Sequence, residues 1–162
     1  MAVAMQQSLY KLLPDARFYF LCLDPEGKIM MDKLKLERVT LFTLDDMGNK
    51  ELLETRKGRT KTEFAMTAKS NFLSYLVHSP QVGTDDLLIL SDVDIIYFPP
   101  VVEFLEKERR DIAHSIFLTP HKFSKEKEGL IPEVGYYNGG FITFRINGVS
   151  IRCIDAWAKQ CI

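Results

Sequence analysis

Leu87-Leu88-Ile89-Leu90-Ser91-Asp92-Val93-Asp94-Ile95-Ile96-Tyr97-Phe98-Pro99-Pro100 is the stretch that decides how the chain folds. Residues 87 to 90 are wholly apolar, the pattern of a strand covered on both faces in a parallel or mixed sheet. Two carboxylates at the end of such a strand would lose their hydration if drawn into the core, so Asp92 and Asp94 are expected at its C-terminal mouth. In open α/β sheets that mouth is where ligands bind. Spacing of i, i+2 in an extended chain points both side chains to one side, where two hard oxygen donors can converge on Mn²⁺ or Mg²⁺. A metal bridging a diphosphate there would stabilise it as a leaving group.

The carboxylate pair has competing readings. An EF-hand loop starting at Asp92 would find Glu103 at its twelfth position, but Tyr97 stands where the sharp turn demands glycine, so that reading fails. A phosphatase with an aspartate nucleophile also places D-x-D after an apolar strand, yet Ile95 and Ile96 follow here instead of small, turn-forming residues. A solvated loop pair ahead of a helix beginning at Pro99-Pro100 is the plain alternative.

Taken with two later stretches, Pro120-His121-Lys122-Phe123-Ser124 and Tyr136-Tyr137-Asn138-Gly139-Gly140-Phe141-Ile142-Thr143-Phe144-Arg145, this region resembles the GT-A type of nucleotide-diphospho-sugar glycosyltransferase, in particular a group of bacterial sugar transferases. The resemblance implies an α/β, Rossmann-like fold with a mixed, mostly parallel sheet flanked by helices. It implies metal-dependent transfer of a sugar from a nucleoside-diphosphate donor, expected to be a UDP-sugar, to a hydroxyl of a glycan or lipid-linked acceptor. Asp92 and Asp94 would hold the Mn²⁺ or Mg²⁺, and Ser91 and Val93 would lie beside the nucleotide. Arg59 or Lys61, near the start of a helix, would approach the diphosphate, with solvated surface charge as the alternative for both. Asn138, Gly139 and Gly140 would line the donor-sugar and acceptor side. Turn chemistry alone would give Asn138-Gly139 the equal role of a turn into the last strand. His121, in a loop after a strand end, is a candidate for sugar hydroxyls or phosphate, with a simple turn residue the even alternative. No catalytic base is assigned.

The chain has 162 residues, 46% hydrophobic and 27% charged, enough for one domain with a real core. A formal net charge of −1 with interspersed Lys and Arg gives no electrostatic footprint for nucleic acid. Cys22, Cys153 and Cys161 fit neither a disulfide framework nor a zinc site and read as reduced thiols. No apolar run approaches the roughly 18 residues of a membrane span, and the start lacks a signal-peptide pattern, so a cytoplasmic protein is expected.

Helices are expected over residues 3–13, 28–34 and from about 61 to 78, the last opened by the capping box Thr60-Lys61-Thr62-Glu63, with strands over 17–23, 39–43, 112–118 and 141–145. His78 is expected to complement a helix end and His114 to be a packed core residue. Residues 125–129 are expected to form a mobile loop. The resembled family has a strand before the first helix, in the middle of the sheet, for which this chain has no residues. Its other end, where Ile151, Ile154, Ala158 and Cys161 form one helical face, also reads as cut, so residues 1–162 are expected to form a single, truncated domain. Loss of a middle strand would leave exposed edges, favouring a homodimer by strand pairing or aggregation. A non-catalytic remnant and a metal-dependent phosphatase or nucleotide-sugar hydrolase are the alternative functions.

Overall fold

The computed structural model describes residues 1–111 and 114–162. Along the chain lie α1 (Ala2–Leu12), β1 (Phe18–Cys22), α2 (Pro25–Lys33), β2 (Val39–Thr43), α3 (Leu44–Met47), α4 (Lys50–Thr55), α5 (Lys61–Val77) and β3 (Leu87–Ser91). After them come α6 (Pro100–Arg110), β4 (Ile116–Pro120), α7 (Ile131–Val134), β5 (Tyr137–Arg145) and α8 (Gly148–Cys161). The strand expected over 112–118 is seen from Ile116; Ile112 and Ala113 lie outside the described residues. The loop expected over 125–129 is a 3₁₀ turn, Lys125–Leu130, leading into α7.

The strands form two sheets. β1 and β2 pair in parallel, Phe18 opposite Val39 and Cys22 opposite Thr43, with α2 as the crossover. The second sheet has the order β3-β5-β4 and is antiparallel throughout, with Leu87 opposite Arg145 and Ser91 opposite Phe141. The architecture is therefore mixed α/β, as expected, but the mostly parallel sheet is corrected: among the described residues only β1–β2 pairs in parallel and β3-β5-β4 is antiparallel. β3 and β4, both antiparallel to β5, run the same way with α6 between them, and β5 enters between them in the opposite direction. An apolar run specifies burial on both faces and carries no information on which neighbour arrives, or from which end.

Helices cover both faces. On one, Met5 and Leu9 of α1 and Leu105 of α6 pack with Phe18, Phe20, Leu87 and Ile89. On the other, Phe72 and Leu76 of α5 meet Tyr19, Leu21 and Phe42, while Leu73 and Val77 meet Leu88, Leu90, Ile142 and Phe144, with Ile154 of α8 alongside. Alternate residues of β3 thus serve opposite layers, which is what its unbroken apolar sequence requires.

α5 starts where expected. Thr60 Oγ1 accepts from the Glu63 N–H, and the Glu63 carboxylate accepts from the Thr60 N–H at 2.8 Å. The Thr60 hydroxyl and amide bonds hold the Glu63 carboxyl below the usual range. α8 is fastened along α5: the Ser74 hydroxyl donates to Asp155 at 2.7 Å, His78 Nε2 lies 3.0 Å from the same carboxylate, and the Asn71 amide donates to Ala158 O. His78 is the C-cap of α5, so it combines its place at the helix end with a cross-helix pair. His114 departs from expectation. It is half-buried, and its Nε2 lies 2.9 Å from the buried Glu108 carboxylate of α6, a bond that raises the imidazole pKa.

Candidate functional site

The β3 ladder runs one step past its last strand residue, the Asp92 N–H donating to Gly140 O at 2.8 Å; the chain then turns, with Ile95 N–H donating back to Asp92 O. Asp92 and Asp94 therefore stand at the C-terminal mouth, as expected, but on a turn. The extended-chain argument for their convergence does not carry over to a turn. Asp92 is held against the protein, whereas Asp94 and Val93 are exposed.

What holds Asp92 is a residue the sequence reading passed over. Lys69, in the middle of α5, places Nζ 2.6 Å from Asp92 Oδ1 and 3.3 Å from Gly139 O, with its side chain only 18% exposed against 38% for Asp92. One signal pointed to it. Lys69 is flanked by Ala68 and Ser70, both fully buried, and finds Ala65, Met66, Phe72 and Leu73 at the helical spacings where an acidic partner would stand. A lysine on a buried arc without an intrahelical acid must find its counter-charge on another element.

The other Asp92 oxygen explains the paired glycines. A Cβ on Gly140 would lie 2.8 Å from Asp92 Oδ2 and 2.9 Å from Asn138 Oδ1, so only glycine leaves room there. Gly139 has open space instead. The register between β4 and β5 shifts at this point: Leu118 is opposite Ile142 and Thr119 opposite Asn138, leaving residues 139–141 as a bulge beside the carboxylate turn. Asn138 is exposed, its side-chain oxygen accepting from Gly140 N–H at 2.6 Å. The strand expected from Phe141 begins at Tyr137, and Asn138-Gly139 is part of it rather than a turn into it.

Ser91 accepts from the Tyr97 hydroxyl at 2.6 Å and donates to Asp92 O, while Tyr97 N–H donates to Ser8 of α1. Burial pushes the Tyr97 phenol up, with the Ser91 bond opposing, so it remains a protonated donor that fixes the turn. Arg59 donates to Thr67 Oγ1 and, at 2.7 Å, to Cys161 O. It shares an open cleft of about 340 Å³ with Lys69, Gly139 and Trp157. Lys61 is exposed in the first turn of α5. His121 stacks on Phe123 with ring centroids 4.7 Å apart, and its backbone N–H donates to Tyr136 O, which ties the backbone there to the approach to β5.

The site thus brings together Ser91, Asp92, Gly139, Gly140 and Lys69, with Asn138 at the bulge and Arg59 across the cleft. Two cations lining one cleft suit an anionic ligand. Among the described residues, no group of three or more His, Cys, Asp or Glu side chains is gathered as for a metal held by protein alone. Of the two carboxylates, Asp92 has Oδ1 paired with the Lys69 ammonium and Asp94 is exposed on the turn. No helix among the described residues is long and apolar enough to cross a membrane.

No protein-family model matches the chain, and no solved structure does. Two curated proteins of Bacillus subtilis (strain 168) are similar to it: uncharacterized protein YfnF, 25% identical over 166 residues that take in 99% of this chain and 54% of that protein, and uncharacterized protein YfnD, 27% identical over 161 residues, 98% and 49% respectively. The chain spans about half the length of these relatives.

Proposed function

We propose that this domain binds the donor of a glycosyl-transfer reaction, a nucleoside-diphosphate sugar and in particular a UDP-sugar, for delivery to a hydroxyl of a glycan or lipid-linked acceptor. The fold reading that accompanies it is Rossmann-like, of GT-A type. One observation carries the proposal: a carboxylate turn at the end of a core strand, with Asp92 shared between Lys69 and a glycine bulge, opens beside a cleft that two cations line. Asp92 and Asp94 would hold Mn²⁺ or Mg²⁺, which when bound supplies Lewis-acid charge to the diphosphate. Lys69, paired with Asp92, would offer its ammonium to phosphate with a metal bound at the carboxylates. Arg59, held by Thr67 and Cys161, would add fixed positive charge, and Lys61 would add more from the helix start. Ser91 and Val93 flank the turn, Asn138, Gly139 and Gly140 form the donor-sugar side, and His121 stands towards the acceptor.

Calorimetric titration of UDP with Mn²⁺ and then with EDTA, repeated on Asp94→Ala, tests the reading. Binding that needs the metal and vanishes in the variant is expected; absence of binding to a folded chain refutes it. A second reading, a non-catalytic remnant, is favoured by the interrupted sheet and predicts a folded chain indifferent to UDP. A phosphatase or nucleotide-sugar hydrolase using the same carboxylates would release phosphate or sugar without an acceptor.

A further inference from the structure

Aromatic rings gather where β4 ends and β5 begins. Pro120 is opposite Tyr137, and the His121 backbone N–H donates to Tyr136 O, so the two strands carry two pairs of rings at one end of the sheet. His121 stacks on Phe123 with ring centroids 4.7 Å apart and planes 20° apart, whereas Tyr136 and Tyr137 meet edge to face at 5.1 Å and 88°. Both tyrosines are more than half exposed, at 57% and 54%, and so keep apolar ring surface in water. Their polar tips are equally unengaged. Among the described residues, no protein group bonds the two phenol oxygens, the His121 ring nitrogens or Asn138 Nδ2, while Asn138 Oδ1 is taken by Gly140 N–H. The rings border the carboxylate turn, since Asn138 Oδ1 and Asp92 Oδ2 flank the one point that a Gly140 Cβ would occupy.

We infer that these rings form a platform for one pyranose ring of a neutral glycan, the acceptor of the transfer. Ring faces and polar tips select it together. A pyranose with equatorial hydroxyls presents a face of axial C–H groups, which stacks on the electron-rich face of an aromatic ring, and its rim carries hydroxyls that both donate and accept. Perpendicular tyrosines supply a floor and a wall for such a ring, with the phenols, the imidazole and the Asn138 amide at its edge. A hydrocarbon tail would cover the rings but bury those polar groups without partners, and so would an apolar segment of polypeptide, from this chain or another. None of the five side chains is an acid or a strong base, which matches an uncharged sugar. The inference deepens the glycosyl-transfer reading by naming the acceptor class, and rests on that reading for the sugar's role.

Saturation-transfer NMR tests it with EDTA present and no nucleotide. Cellotetraose, chitotetraose and maltotetraose are the probes, each at about 10 mM, which saturates a site with a Kd of about 1 mM. At least one is expected to bind, with transfer strongest to the axial C–H protons of one sugar residue. Tyr136→Ala and Tyr137→Ala should each weaken binding about tenfold, whereas Val149→Ala, exposed beyond the other end of β5, should not. Amide spectra check that each variant is folded. No transfer to any of the three from a folded chain would overturn the inference, as would binding that both tyrosine variants retain. Transfer to octyl glucoside confined to its alkyl protons would make the patch a lipid site and overturn it as well. Failure of the donor reading looks different: a chain that ignores UDP yet binds the oligosaccharide keeps the platform and loses only the acceptor role.

Discussion

Replacing Lys69 by methionine keeps an unbranched apolar stem one atom shorter and removes the ammonium 2.6 Å from Asp92. Exposed ion pairs contribute about 0–1 kcal/mol, and removing one partner of a fully buried pair costs about 3–5 kcal/mol. With side chains 18% and 38% exposed, this pair lies between those limits. We expect Lys69→Met to destabilise the fold by about 1–2 kcal/mol, which at a urea dependence of about 2 kcal/mol per molar moves the midpoint down by about 0.5–1 M. Asp92→Asn and the double variant complete a cycle, and a coupling of about 1 kcal/mol is expected. Coupling below about 0.3 kcal/mol would show that the ammonium does not hold this carboxylate and would refute the account of the site. The same variant has an independent readout. Mn²⁺ alone should bind Lys69→Met more tightly than the parent, because the competing cation is gone; equal affinity would contradict the competition.

Gly140→Ala places a methyl 2.8 Å from Asp92 Oδ2 and should cost about 1–3 kcal/mol and weaken UDP binding, whereas Gly139→Ala, in open space, should stay within about 0.5 kcal/mol; urea midpoints separate them. Tyr97→Phe removes the donor to Ser91 and should cost about 0.5–1.5 kcal/mol, with the Asp92 backbone amide exchanging faster by NMR. The Glu108 bond raises the His114 pKa above its ordinary value of about 6.5, so the stability it brings is full below that value and lost as pH rises through the higher folded-state one. Urea midpoints measured from mildly acidic to mildly alkaline pH should show that decline, and Glu108→Gln should flatten it.

Sequence was most informative where the signal is local. β2 has the limits that its β-branched and aromatic residues imply, and the Thr60–Glu63 box opens α5 because both partners lie within one turn. Position of the carboxylates at a strand mouth was also legible, since burying them was too costly. Non-local facts were not. The antiparallel entry of β5 between β3 and β4 depends on pairings across dozens of residues. Arg59 and Lys61 stand out in the sequence as cations near a helix start, yet Lys69 is the one that reaches Asp92, because its partner comes from the turn after β3, on another element. His114 falls inside the apolar run 112–118 and so reads as core from sequence; its imidazole instead meets an acid buried on α6, before β4 begins at Ile116.

Trp157, the chain's single tryptophan, sits on α8 at the cleft wall shared by Arg59 and Lys69. Its indole fluorescence is therefore a built-in, label-free spectroscopic probe of whatever enters that cleft. It also belongs to the layer that packs on β3, β5 and α5, and is remote in the hydrogen-bonded network from the β1–β2 ladder. Emission followed through a denaturant series consequently reports the β3–β5–β4 side locally, whereas far-ultraviolet circular dichroism averages over every helix and strand of the chain. Coincident curves would mean that side-chain packing alone makes the two sheets melt as one; separated curves would give the free energy of the weaker one directly.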